Sequence, residues 1–156
     1  MRSDINSGVM AGLIGGVVFG IMMQMMNAPT PDGAQMPMMG MVAKVVRSDS
    51  IAVGWLYHLF NSAVIGAIFG WLLGSHSQTF SAGLGWGAAY GVVWWILGGL
   101  ILMPLFLGMQ PLAPLQMAPM RPVAMGSLLG HLIYGVILGG GFAMLKQGLP
   151  GATRHA

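Results

Sequence analysis

The chain has 156 residues, 56% of them hydrophobic and 6% charged, where an ordinary soluble domain carries about 25% charged residues. Six Lys and Arg and three Asp cannot wet the surface of a 16.4 kDa globule, which excludes a soluble monomer, a disordered tail and an electrostatic nucleic-acid binder. The net charge of +3 reflects a scarcity of acids, and the absence of cysteine excludes disulfides, zinc knuckles, iron–sulfur clusters and thiol catalysis.

Residues 5–31 carry no charged side chain, nor do 50–120 or 122–145. A spanning helix needs about 20 mostly apolar residues. The first stretch predicts one span at 8–26. The second is too long for one span and is divided by the polar run from Ser75 to Thr79, predicting spans at 51–74 and 80–103. The third predicts a fourth span at 123–145. Backbone groups in lipid must be satisfied internally, so these are helices, and none of the runs alternates as a barrel strand would. The first apolar run, about 19 residues, exceeds the 7–15 of a secretory leader, and is read as a retained helix.

Four spans place both termini and the 75–79 link on one side of the membrane, and the connections 27–50 and 104–122 on the other. Arg2, Lys146 and Arg154 balance Lys44, Arg47 and Arg121, so the positive-inside count is tied. The termini are assigned to the cytoplasm.

The spans carry an internal likeness. Ala11-Gly12-Leu13 to Gly20 and Ala82-Gly83-Leu84 to Gly91 both fit A-G-L-x-x-G-x-x-aromatic-G. His58-Leu59 is followed by Gly66 as His131-Leu132 is followed by Gly139, and Met36-Pro37 and Met103-Pro104 follow the first and third spans. This predicts two tandem two-helix units, 8–74 and 79–147, related by a pseudo-two-fold axis along the membrane normal.

Small residues recur every four positions. They include Gly12, Gly16 and Gly20 in the first span, Gly66 and Gly70 in the second, Gly83, Gly87 and Gly91 in the third, and Gly135 and Gly139 in the fourth. Such spacing lines one helix face. Lipid is as apolar as leucine, so helices associate through close backbone approach along small-residue faces. The expectation is an all-α, integral-membrane four-helix bundle with glycine-zipper packing. Trp55, Tyr57 and Trp71 are read as interface anchors.

His58 and His131 are the ionisable groups well inside the spans, and both lie on the small-residue faces. Asn61 and Tyr134 follow them within one turn. An intramembrane ionisable residue is a functional candidate. Two histidines on different helices suit axial ligation of haem b, binding of copper or zinc by neutral imidazole, or proton relay. They equally suit a pair of neutral histidines bonding between helices, with no cofactor at all. His76 and His155 are read as solvated.

Sixteen methionines are present. Met36, Met38, Met39 and Met41 lie in the first long connection and Met109, Met117 and Met120 in the second, on the side nearer the two histidines. Thioethers select soft Cu(I), which makes the first four candidate metal ligands with His58 and His131; they equally serve as flexible apolar filler. Residues 38–47 are read as a short interfacial helix. Asp4, Asp32 and Asp49 are peripheral, so no paired acid and base lies in a span, and a non-enzymatic protein is expected.

The residues Ala11-Gly12-Leu13, Trp55-Leu56-Tyr57-His58, Gly83 to Gly91, Met103-Pro104 and the run from His131 to Gly139 together resemble a group of small four-helix bacterial inner-membrane proteins classed as domains of unknown function. The likeness covers most of residues 8–145. It implies the four-helix fold and an inner-membrane location, and it implies that the two histidines are a feature of the group. The leading functional expectation is an accessory or structural subunit in a homo-oligomer or larger membrane complex, surrounded by lipid. The alternatives are a haem- or copper-binding protein using His58 and His131, and a small-solute transporter or channel.

Overall fold

The computed structural model describes residues 2–30 and 34–148. Pro31, Asp32, Arg154 and His155 lie outside the described residues. Four long helices dominate, and each is long and apolar enough to cross a membrane. They are α1 (Arg2–Met25), α3 (Ile51–Leu73), α4 (Phe80–Trp94) with its continuation, and α7 (Arg121–Gln147). Thr79 starts α4 by accepting the Ala82 amide on its hydroxyl at 3.3 Å. Pro122 sits in the first turn of α7, where its missing N–H costs nothing.

The third span does not remain α-helical. Residues Trp95–Leu102 widen into π-helical turns before a final α-helical turn, α5 (Met103–Phe106). π-Helical turns are rare and concentrate at functional sites. The first long connection contains a small antiparallel hairpin, β1 (Asn27–Pro29) with β2 (Gln35–Pro37). The sequence offered no sign of it, because its prolines argue against pairing; they are tolerated in this two-stranded ribbon, which consists of edges alone.

The predicted interfacial helix exists as α2 (Met38–Val45), but residues from Met38 to Ala43 are buried against protein. It lies over the start of α3, where a Cβ on Gly54 would strike the Met39 carbonyl oxygen at 2.5 Å. The second connection carries the short α6 (Ala113–Gln116) and a 3-10 turn leading into α7.

Two antiparallel helix pairs are packed backbone to backbone. In the α1–α3 pair, a Cβ on Gly8 would overlap the Gly66 carbonyl oxygen and one on Gly12 would lie 2.6 Å from that of Ser62. In the α4–α7 pair, Gly83 meets the carbonyl of Gly139, Gly87 that of Gly135 and Gly91 that of His131. Gly70 lies on the carbonyl of Asp4, and Gly16 on the side chain of Ser62. Gly20 instead receives the ring of Trp55, whose indole N–H donates to Gln24 at 3.2 Å. Trp55 is therefore a helix-packing residue, whereas Trp71 is 62% exposed.

The contact register differs from the alignment of the A-G-L motifs. That alignment equates Gly12 with Gly83, yet Gly8 meets Gly66 as Gly83 meets Gly139. The difference is one helical turn. A stripe with a small residue every fourth position can slide by a turn and still present a small residue at the crossing.

The pairs are joined through α1 and α7, the most buried helices. Phe19 of α1 fills the recess over Gly130, Ala11 lies beside Gly141, and Gly15 lies against Tyr134. At the terminal end Lys146 and Asp4 form an ion pair at 2.7 Å; Lys44 and Asp49 pair at the other end. Helices α3 and α4 touch through side chains: Tyr90 donates to the Ile65 carbonyl at 2.8 Å, and its ring packs on Phe69 at 5.3 Å.

Gly139→Ala places a methyl group on the Gly83 carbonyl and is expected to destabilise by about 1–3 kcal/mol, the usual range for overpacking. Gly85→Ala, whose Cβ meets nothing within 4 Å, is expected to be neutral or stabilising by up to about 1 kcal/mol from helix propensity. Thermal unfolding of both variants in the same detergent checks the contrast.

Candidate functional site

His58 is held by the α1–α3 crossing. Its Nε2 lies 2.8 Å from the Gly16 carbonyl oxygen. A carbonyl can only accept, so Nε2 carries the proton and donates. One turn later Ser62 donates its hydroxyl to the His58 carbonyl at 2.8 Å. Tyr134 of α7 reaches across to donate to the Ser62 carbonyl at 2.9 Å. These bonds link three helices around one buried point.

His131 is held within its own helix. Its Nδ1 lies 2.8 Å from the Ser127 carbonyl oxygen and is the donor there. The Cε1 edge of the ring faces Gly99 in the π-helical turns, where a Cβ would come within 3.5 Å of it. Trp95 ties that segment to α7 by donating to the Ala124 carbonyl at 3.1 Å.

The two imidazoles meet one aromatic ring. Phe19 makes edge contacts with His58 at 5.7 Å and with His131 at 4.8 Å between ring centroids. His58 lies seven residues into α3 and His131 ten residues into α7, roughly 10 and 15 Å along their helices at 1.5 Å per residue. The later position of His131 reflects the start of α7 at Arg121, two residues before the predicted span.

Both histidines line one cavity of about 270 Å³. Phe19, Asn61, Trp94, Ser127 and Tyr134 line it with them. The roof is made by Met38 and Met41 of α2 and by Met103, Met109 and Met120 beyond the third span. Large apolar surfaces with a few convergent polar groups are typical of ligand sites. Asn61 has no hydrogen-bonding partner among the described residues, although it is only partly exposed and lies well inside α3.

The methionines singled out from the sequence divide. Met38 and Met41 line the cavity with the histidines. Met36 packs beside Gly40, 3.7 Å from where a Cβ there would stand, and does not line the cavity. Met39 is fully buried and likewise does not line it. Tyr57, read as an interface anchor, faces the cavity. His76 is exposed beside Ser75 and Trp86. Among the described residues no three His, Cys, Asp or Glu side chains converge on a metal-sized site. A metal here would rest on imidazole and thioether alone.

Sequence reasoning missed Phe19 and the Gly98–Gly99 pair. Phe19 sits at the aromatic position of the A-G-L motif, one residue before Gly20, and nothing in the sequence aims it at both histidines. The adjacent glycines after Trp94-Trp95 were the available signal for an irregular turn.

No protein-family model, curated protein or solved structure matches the chain. The fold itself sets the class: four long apolar helices form a helical, multi-pass membrane protein.

Tyr134→Phe removes the bond to the Ser62 carbonyl while keeping the ring against Gly15. Interhelical bonds in membranes contribute about 0.6 kcal/mol and up to about 1.7, and a loss in that range is expected. Thermal unfolding of the variant beside the parent protein measures it.

Proposed function

We propose that the chain is a non-enzymatic membrane protein that binds a ligand in the cavity shared by His58 and His131. The observation that carries this reading is their convergence. The two histidines are 73 positions apart in sequence, on helices from opposite halves of the chain, yet they line one cavity and touch one phenylalanine. The accessory-subunit reading rested on small-residue grooves open to a partner. Most of those grooves are filled within the chain: by α1 on α3 and by α4 on α7.

The tandem-repeat reading explains why there is a cavity. If α1–α3 and α4–α7 are two copies packed as glycine zippers, the pseudo-two-fold axis maps the α1–α7 contact onto α4–α3. The first of these contacts is made backbone against side chain, with Phe19 over Gly130. The second is held apart, and the cavity occupies the gap. The likeness to small four-helix bacterial inner-membrane proteins supports a location in the bacterial inner membrane.

A soft metal is a second reading, with one observation behind it. Each imidazole donates one ring N–H to a backbone carbonyl, the outer-sphere arrangement usual for metal-binding histidine. That leaves Nδ1 of His58 and Nε2 of His131 as donors, with the Met38 and Met41 thioethers lining the same cavity, a set suited to Cu(I) rather than to hard cations. Haem is less well supported, because Phe19 lies against both rings and a macrocycle between them would have to displace it.

Native mass spectrometry of gently solubilised protein tests the proposal. Retained small-molecule or copper mass is expected on the parent protein, reduced at least tenfold in occupancy in the His58→Ala, His131→Ala double variant. Bare polypeptide in fixed stoichiometry with itself or with other subunits would overturn it in favour of a structural subunit.

A further inference from the structure

The cavity lining is apolar apart from a few groups, and part of it is exposed on the outer surface of the helices. Its roof is formed by apolar side chains of α2 and of the 103–120 segment, with no Asp, Glu, Lys or Arg among the lining residues. Its rim includes Val64 of α3 and Phe106 at the end of the third span, 41% and 61% exposed. Val64 lies thirteen residues into α3, about 20 Å along the helix at 1.5 Å per residue, so this part of the mouth faces hydrocarbon. Below the mouth, the Tyr90 bond to Ile65 and the Phe69–Tyr90 contact close α3 against α4.

The polar groups inside have a definite sense. A neutral imidazole that donates from one nitrogen accepts at the other. His58 donates from Nε2 to Gly16, and His131 from Nδ1 to Ser127, so each offers an acceptor. The Asn61 amide, without a partner among the described residues, offers both a donor and an acceptor. A hydroxyl group satisfies both kinds of site, donating to an imidazole nitrogen and accepting from the amide. A carbonyl or ether can only accept. Phe19, Tyr57 and Trp94 supply ring faces and edges beside these groups.

Building on the cavity reading above, we infer that the ligand is a membrane-soluble phenol or hydroquinone, which enters laterally between α3 and α4 and places a hydroxyl between the histidines and Asn61. The volume of about 270 Å³ suits an aromatic headgroup and would leave a bare metal ion mostly surrounded by void. The methionine-rich roof then acts as a flexible apolar lid that conforms to the ring.

The test is equilibrium binding to the full chain in lipid nanodiscs, using decyl-hydroquinone and its dimethyl ether as probes. The ether keeps the ring and tail but cannot donate. The hydroquinone is expected to bind saturably and about tenfold more tightly than the ether, the size of one or two net hydrogen bonds. Asn61→Leu and His131→Phe are each expected to reduce that preference to about twofold or less. Asn61→Leu adds no polar group and breaks no bond, so it remains informative if His131→Phe does not fold. Equal affinity for the two probes, or a preference unchanged in Asn61→Leu, overturns the inference. Titration with Cu(I) in the same nanodiscs separates the two levels. Saturable Cu(I) binding without hydroquinone binding overturns the inference and leaves the cavity reading standing; failure of every probe overturns both.

Discussion

Close contact between backbones is the interaction on which the rest of this structure depends. Lipid offers no hydrophobic reward for bringing two apolar helices together, so association rests on dispersion and on how near the axes can come. Glycine carbonyls lie directly over glycine Cα atoms along α1–α3 and α4–α7. Any side chain at Gly8, Gly66, Gly83, Gly87 or Gly139 would hold the helices apart. The two pairs are therefore the rigid units, and everything irregular is placed around them.

The cavity follows from that rigidity. Helices α1 and α7 join the pairs by fitting large side chains into glycine recesses, Phe19 over Gly130 and Tyr134 against Gly15. The corresponding surfaces of α3 and α4 meet through Phe69 and Tyr90 towards one end, whereas towards the other Tyr57 and Trp94 face the cavity. Beyond Tyr90, towards the long connections, the third span loosens into π-helical turns at Trp95–Leu102. Gly99 in those turns keeps the space beside His131 open. The long connections fold back as α2 and the 103–120 segment to cover one end, which is why so many of their methionines are buried.

The two histidines illustrate how similar sequence contexts diverge. Each begins a His-Leu pair with a glycine eight residues on, and each donates one ring proton to a backbone carbonyl. His58 donates across to α1, where Gly16 permits close approach, whereas His131 turns back on its own helix at Ser127. The two rings line one space because the helices that bear them belong to different pairs.

What the sequence determined by itself is the solvent and the set of faces. Charge-free runs of spanning length specify helices in lipid, their even number places the ends together, and small residues at four-residue spacing mark the contact surfaces. The Lys146–Asp4 pair agrees with that parity. The tertiary structure decided which faces meet and in what register. A four-residue stripe names a face without naming its partner, so Gly54 takes α2 while Gly66 takes α1, and the A-G-L motifs align one turn away from the contact register. It also decided which methionines join the histidines, Met38 and Met41 but neither Met36 nor Met39, because a flexible thioether carries no directional information until the helix beneath it is placed. The cavity belongs to the tertiary structure alone: a gap between helices has no residue of its own in the sequence.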